Sequence, residues 1–435
     1  MVSESNWITT PLKKAVNSII DYRGKTPKKL GMEWENGDIL ALSANNVKMG
    51  KIDSDSEANY GSETLYKKWM KEELEKGDVL MTMEAPLGNV TQVPDNQRYI
   101  LSQRVVAFKT INEIDNDYFK YYLMSSRFQN LLYRFSSGTT AKGISQKNLK
   151  PLSIAYPPKA EQQKIAAILS SVDEAIEKTE QIIDQTEQVK KGLMQQLLTK
   201  GIGHKEFKET SIGDIPENWK IIKFGDVFEI SSGLSFSRSQ LGNSGYFYLH
   251  YGDIHKTYKH FIDIEKDNSW IPRIDIDKDK VKEGSLLREG DLVISDASED
   301  TEGIGKSVVV KNIGLNVFIS GLHTIVARDL NNVFLKEFNG YLLLNSIVRK
   351  QIRRIATGAT VYGISKANLK EIYLPVPPKE EQRIISNLLV SVDEKIEKEL
   401  VKKKKLNFIK QGLMQQLLTG KVRVPINDDE EVIET

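Results

Sequence analysis

The phrase GLMQQLLT occurs at 192–199 and again, letter for letter, at 412–419, an offset of 220 residues. The offset holds without a gap from Pro157 to Thr199, where PPKAEQQKIAAILSSVDEAIEK faces PPKEEQRIISNLLVSVDEKIEK, and more than half of the positions are identical. Upstream, SSGTTAKGISQKNLK (136–150) matches ATGATVYGISKANLK (356–370) at the same offset. Earlier still only landmarks persist, such as Trp7 against Trp219 and EKGDVLMT (75–82) against REGDLVIS (288–295). A period this long is the duplication of a domain-plus-helix module, not a solenoid turn. The chain is therefore laid out as variable domain, helix, variable domain, helix, which implies a two-part ligand or two copies of one partner.

The helical segments carry a narrow apolar seam. Ile165, Leu169, Val172, Ile176, Ile183, Leu193 and Leu197 follow steps of three and four, as do Ile385, Leu389, Val392, Ile396, Leu406, Leu413 and Leu417. That spacing belongs to a coiled coil. Each helix has room for about 40 residues, roughly 60 Å at the helical rise, and needs a partner, which its own repeat can supply. The first is acidic at Asp173, Glu174, Glu177, Glu180 and Asp184, and the second carries Lys402 to Lys405. An antiparallel, end-matched pair places Lys403 and Lys404 opposite Asp173 and Glu174; solvated faces are the alternative for any one pair. Gly192 and Gly412 interrupt good helix formers at a cost of about 1 kcal/mol each, which predicts a close backbone approach or a local break.

Residues 1–156 and 204–376 read as mixed α/β domains. Stretches 38–47, 78–83, 104–109, 292–296 and 307–311 are predicted strands, and 118–135 and 338–355 predicted helices. Net charge is only +2, so bulk charge does not announce a nucleic-acid binder, but its placement is uneven. No acid occurs between Tyr118 and Ala160 or between Phe338 and Lys370, whereas both stretches are rich in lysine and arginine. Basic side chains beside glycine, serine and threonine in GTTAKGIS and GATVYGIS suit phosphate contact, the alternative being a solvated helix face followed by a turn.

Catalytic patterns fail by contrast. With no cysteine in the chain there are no disulfides, thiolate nucleophiles or cysteine metal sites. GIGKS (303–307) lacks the leading glycine of a phosphate-binding loop, since Asp300 stands there, and a strand-like VVVK follows. His250, His255 and His260 share no helix face, and DIDKDK (275–280) lacks the glycine and glutamate of a calcium loop. The expectation is a reader with no catalytic and no metal-binding residues. Neither a membrane-spanning run nor a leader is visible, so a cytoplasmic location is expected.

Taken together, PPKAEQQKI and PPKEEQRII opening the helices, GLMQQLLT closing them, and the G-T/A-T…G-I-S…L loop before each resemble the specificity subunits of type I restriction–modification systems. The resemblance covers essentially the whole chain. It implies two mixed α/β target recognition domains, 1–156 and 204–376, separated by an antiparallel coiled coil with a pseudo-twofold repeat. The coil comprises a central helix over 157–203 and a C-terminal one over 377–424, and an acidic tail follows at 425–435. Each domain would read one half of a split, asymmetric site in double-stranded DNA, and the coil would fix the gap. Two DNA methyltransferase subunits and motor-nuclease subunits would be the partners, holding S-adenosylmethionine, ATP and Mg themselves, so this chain would need no cofactor.

Expected DNA contacts are Arg134, Thr139, Thr140, Lys142 and Lys147 in the first domain and Arg353, Arg354, Thr360, Tyr362 and Lys366 in the second. Arg23, Lys25 and Arg238 in the early turns are further candidates. The repeated phrase offers Gly192, Leu193, Gln195 and Gln196, with Gly412, Leu413, Gln415 and Gln416, as matched partner-binding surfaces. Two other classes fit the residues less fully. A protein-binding coiled-coil adaptor differs by showing no salt-dependent DNA retention. A stand-alone methyltransferase differs by transferring methyl groups unaided.

Overall fold

A computed structural model describes the chain except residues 1–5, 35–36, 54–55, 258 and 427–435 and the side chain of Lys278. Most of the expected acidic tail thus lies outside the described residues. Two compact units emerge, Met1–Glu180 with Val401–Thr435, and Gln181–Leu400. Each combines one variable domain with half of each long helix.

The first unit centres on an antiparallel sheet in the order Val16–Asp21, Val105–Thr110, Val79–Met83, Leu87–Gln92. Its two central strands, Val79–Met83 and most of Val105–Thr110, are buried on both faces because both faces are covered. Val79, Met81, Val106 and Phe108 point into one core with the helices, while Leu80, Val105 and Ala107 join Trp69 in another. In the second unit the same four-strand order, Phe228–Ser232, Thr324–Asp329, Leu292–Ser295, Ser307–Lys311, is extended by a fifth strand, Phe261–Asp263, added parallel to the last. Residue alternation again divides two cores: Leu292, Ile294 and Ile325 face one, Val293, Val308 and Val326 the other.

Each predicted domain helix is split in two. Asn116–Met124 and Ser126–Arg134 meet at Ser125, whose side chain caps the second helix at Phe128 N (3.3 Å). Lys336–Leu342 and Ser346–Ile355 are divided near Asn345, which caps at Ile347 N (2.8 Å). Apolar spacing ran through both breaks and hid them. A side chain that satisfies orphan N–H groups of a new helix restarts the chain in a new direction.

The long helices run Lys159–Lys200 and Lys379–Leu417, 42 and 39 residues. Their pairing is antiparallel within each unit. In the first, Asp173 meets Lys410 (2.5 Å) and Glu180 meets Lys403 (2.8 Å). In the second, Asp393 meets Lys190 (2.5 Å). This corrects the end-matched register, in which Lys403 and Lys404 faced Asp173 and Glu174. The duplication supplies the reason: pairing Asp173 with Lys404 would, through the 220-residue offset, set Asp393 against Asp184, two like charges. The observed register sets both aspartates against lysines.

Gly192 and Gly412 neither break their helices nor touch a neighbouring element. A Cβ at either would meet nothing within 4 Å. The expected close approach within the chain is therefore corrected: both glycines lie on exposed helix faces. Among the described residues no helix is long and apolar enough to cross a membrane.

Candidate nucleic-acid interface

The GTTAKGIS and GATVYGIS segments fold into the same device. In the first unit Ser137 and Gly143 exchange two backbone hydrogen bonds (2.8 and 2.9 Å), and Ile144 N donates to Met83 O (2.9 Å), anchoring the loop beside a core strand. Thr357 and Gly363 do the same in the second unit (2.9 and 2.7 Å), with Ile364 N donating to Asp296 O (2.9 Å). The turn needs a left-handed glycine. Gly138 has φ 102° and Gly358 φ 123°, and a Cβ on either would run into a carbonyl within the loop. Ser145 and Ser365 then cap short helices at Asn148 N (3.2 Å) and Asn368 N (3.1 Å).

Thr139, Thr140 and Lys142 stand exposed on the first hairpin, with Lys147 on the helix after it and Arg134 on the helix before it. Thr360 is exposed on the second hairpin, Tyr362 is partly buried against the core, and Arg354 occupies the place of Arg134. Among the described residues Arg134, Lys142, Lys147 and Arg354 carry no ion pair. Arg353 is paired with Glu302 (2.5 Å), an acid from another strand connection that sequence proximity could not reveal.

Other members of the acid-free stretches are spent on the fold. Arg349 donates to the carbonyls of Ile304 (2.6 Å) and Glu302 (2.8 Å), and burial lowers its pKa. Lys159 donates to the turn carbonyl of Asn112, as its mate Lys379, beyond the second stretch, does to that of Asn332. The basic bias is thus part scaffold and part free charge.

The early-turn candidates are placed differently from one another. Arg23 grips Asp21 through Nε (2.9 Å) and Nη2 (2.7 Å), and Gln146 Nε2 donates to the same carboxylate (2.8 Å), tying this turn to the hairpin's short helix. Burial alone would raise the Asp21 carboxyl, but hydrogen bonds from Arg23 and Gln146 outweigh it and hold it below the usual carboxylate range. Lys25 instead donates to Trp69 O (2.5 Å) and lies over the Tyr22 ring (4.3 Å). Arg238 forms a two-pronged pair with the buried Asp253 (2.6 and 2.8 Å) while its own side chain stays 45% exposed. In the second unit Lys366 Nζ donates to Ser232 Oγ (2.8 Å). Asp21, Gln146 and Ser232 carry no positive charge that would mark them in the sequence as DNA contacts. The usable signal was that Gln146 and Lys366 follow GIS at matched places.

On the long helices, Gly192, Gln195 and Gln196 are exposed and Leu193 half-buried, and Gly412, Gln415, Gln416 and Leu413 repeat this pattern position for position. Val189 (56% exposed) and its mate Ile409 (48%) lie one turn earlier on the same face.

The profile of the type I restriction modification DNA specificity domain matches residues 6–188 and 216–409. The chain belongs to this family. It has the two target recognition domains and paired long helices of a type I specificity subunit, a DNA-recognition chain. Among curated relatives, the type I restriction enzyme MjaVIII specificity subunit of Methanocaldococcus jannaschii is 28% identical over 357 residues, covering 80% of each chain. The MjaIX specificity subunit of the same organism is 23% identical, covering 92% of this chain and 90% of its own. The crystal structure of the type I S subunit from M. genitalium shares the fold, with a TM-score of 0.55 at 16% identity over 96% of this chain and 97% of that one.

Proposed function

We propose that each recognition domain binds one half of a bipartite, asymmetric site in double-stranded DNA through its GTTAKGIS or GATVYGIS hairpin. The observation that carries this is the duplicated hairpin flanked by exposed Arg134 and Arg354, which have no ion pair among the described residues. A cation without a protein partner, beside a rigid loop of exposed hydroxyls, is suited to phosphate and groove contacts. Thr139, Thr140, Lys142 and Lys147 act with Arg134, and Thr360, Tyr362, Arg353 and Lys366 with Arg354. Arg23, Lys25 and Arg238 belong to the same reading at the early turns.

The antiparallel helices act as the ruler between half-sites, since a rod of fixed length fixes separation along the duplex. Two methyltransferase subunits dock on the equivalent faces around Gly192, Leu193, Gln195 and Gln196 and around Gly412, Leu413, Gln415 and Gln416. Motor-nuclease subunits join through that assembly, in the cytoplasm. The chain itself is non-catalytic, and S-adenosylmethionine, ATP and Mg belong to its partners.

The test is base-resolution methylome sequencing of cells that express the chain with its methyltransferase subunits. Two short motifs at constant separation are expected. One continuous motif would contradict the reading. Binding by the assembled complex should weaken steeply with salt, as phosphate neutralisation requires.

A further inference from the structure

Where the fold demands a particular group, the two copies keep it. Tyr121 and Tyr341, Asp173 and Asp393, and Gln162 and Gln382 hold the same partners in both units. Elsewhere the partners change, and the hairpins show one such place. The first residue of the short helix after each hairpin reaches the last residue of the sheet's first strand, as Gln146 to Asp21 in one copy and Lys366 to Ser232 in the other, both at 2.8 Å. Backbone placement is retained there while the chemistry is rewritten. Two domains that read different half-sites need such a position.

From this juxtaposition we infer that Arg23 reads a guanine in the half-site bound by the first domain, with Asp21 and Gln146 as positioning residues. The inference rests on the DNA reading proposed above and deepens it. Arg23 turns Nε and one edge of Nη2 toward Asp21, at 2.7–3.0 Å. A guanidinium has five N–H groups, and with Nε and one Nη2 hydrogen on Asp21 the outer hydrogens of Nη1 and Nη2 are left as a parallel fork. Such a fork fits O6 and N7 of guanine in the major groove.

Phosphate could accept the same fork, but the charge balance argues against it. Asp21 neutralises most of the field of Arg23, so the pair attracts phosphate weakly while keeping its directional hydrogen bonds. Arg134, Lys142 and Lys147, without ion pairs among the described residues, are the better phosphate seekers. Holding the guanidinium plane in place also spares the rotamer entropy that a free arginine loses on binding. In the second domain Lys366 offers a single-point donor at this position and no fork.

The wild-type chain, expressed in full with its methyltransferase subunits, gives the first test by methylome sequencing. Exchange of residues 1–156 identifies the half-site that the first domain reads. A half-site without any G·C pair overturns the inference outright. Given one, Arg23→Lys should relax the requirement at a single G·C pair in that half by about tenfold or more, with the other half unchanged. Asp21→Asn should relax the same position less. An unaltered motif at full methylation, or a uniform loss at every site, overturns the assignment. Failure of the underlying reading shows itself separately, as a wild-type motif that is not bipartite.

Discussion

In the first unit Tyr121 donates to Asp173 (2.8 Å), which is paired with Lys410; in the second Tyr341 donates to Asp393 (2.5 Å), which is paired with Lys190. The joint between domain and helices is the same, built from residues 220 apart. Around it the units differ. The second adds the strand Phe261–Asp263, and His260 beside it accepts a hydrogen bond from Lys190 (Nζ to Nε2, 2.7 Å). A cavity of about 510 Å³ there is bordered by His260, Lys259, Asp393 and Glu397. The first unit has no histidine at all, since the chain's five lie at 204, 250, 255, 260 and 323. The joint is therefore the constant part, and each domain elaborates around it without replacing it.

The equivalence can be broken most forcefully in the apolar seam. Leu169 and Leu389 are fully buried mates, each packed in its domain's main core. Leu169→Ala and Leu389→Ala should each cost about 2–4 kcal/mol in chemical denaturation. A cost near zero at one of them would show that the joints are not alike.

Next comes the histidine. Burial, reinforced by the charge of Lys190, pushes His260 down to about 4, whereas Asp393 opposes the shift. Between that value and the ordinary 6.5 the unfolded chain takes up a proton that the folded one refuses, so stability falls as pH falls through this window. From pH 7 to pH 5 the second unit should lose roughly 1–2 kcal/mol. Hydrogen exchange in Ser346–Ile355 should show that loss, and its mate Ser126–Arg134 should not. Substituting His260→Gln should flatten the difference.

Tyr121→Phe and Tyr341→Phe should each cost about 1 kcal/mol, the worth of a hydrogen bond to a partly screened carboxylate, read by thermal unfolding. Smallest are Gly192→Ala and Gly412→Ala. With open space at both positions, each should stabilise the isolated chain by up to about 1 kcal/mol. A matched loss of methyltransferase subunit binding would assign the glycines to the docking face; a loss at one alone would break the symmetry.

The repeat made most of the architecture legible. Heptad spacing from Ile165 to Leu197 and from Ile385 to Leu417 announced both long helices, because burial along a seam leaves a period in the sequence. Their register was not legible from charge runs: Lys403 lies beside Glu180 and leaves Asp173 to Lys410. Only the twofold relation among pairs excludes the alternative. The glycine-bearing turns were legible in GTTAKGIS and GATVYGIS, whereas their closure as hairpins through Ser137–Gly143 and Thr357–Gly363 was not. Asp21 and Gln146 were not, because 125 residues separate them and a glutamine carries no charge to notice. Arg353 shows the converse, since its partner Glu302 stands 51 residues away.

The central claim is that the duplicated joint and helices are a constant frame while each domain reads its own half-site. Replacing residues 1–156 with the first recognition domain of another type I specificity subunit, followed by methylome sequencing, tests it most directly. One half of the methylated motif should change while the other half and the spacing between them persist. A change in both halves, or in neither, would contradict it.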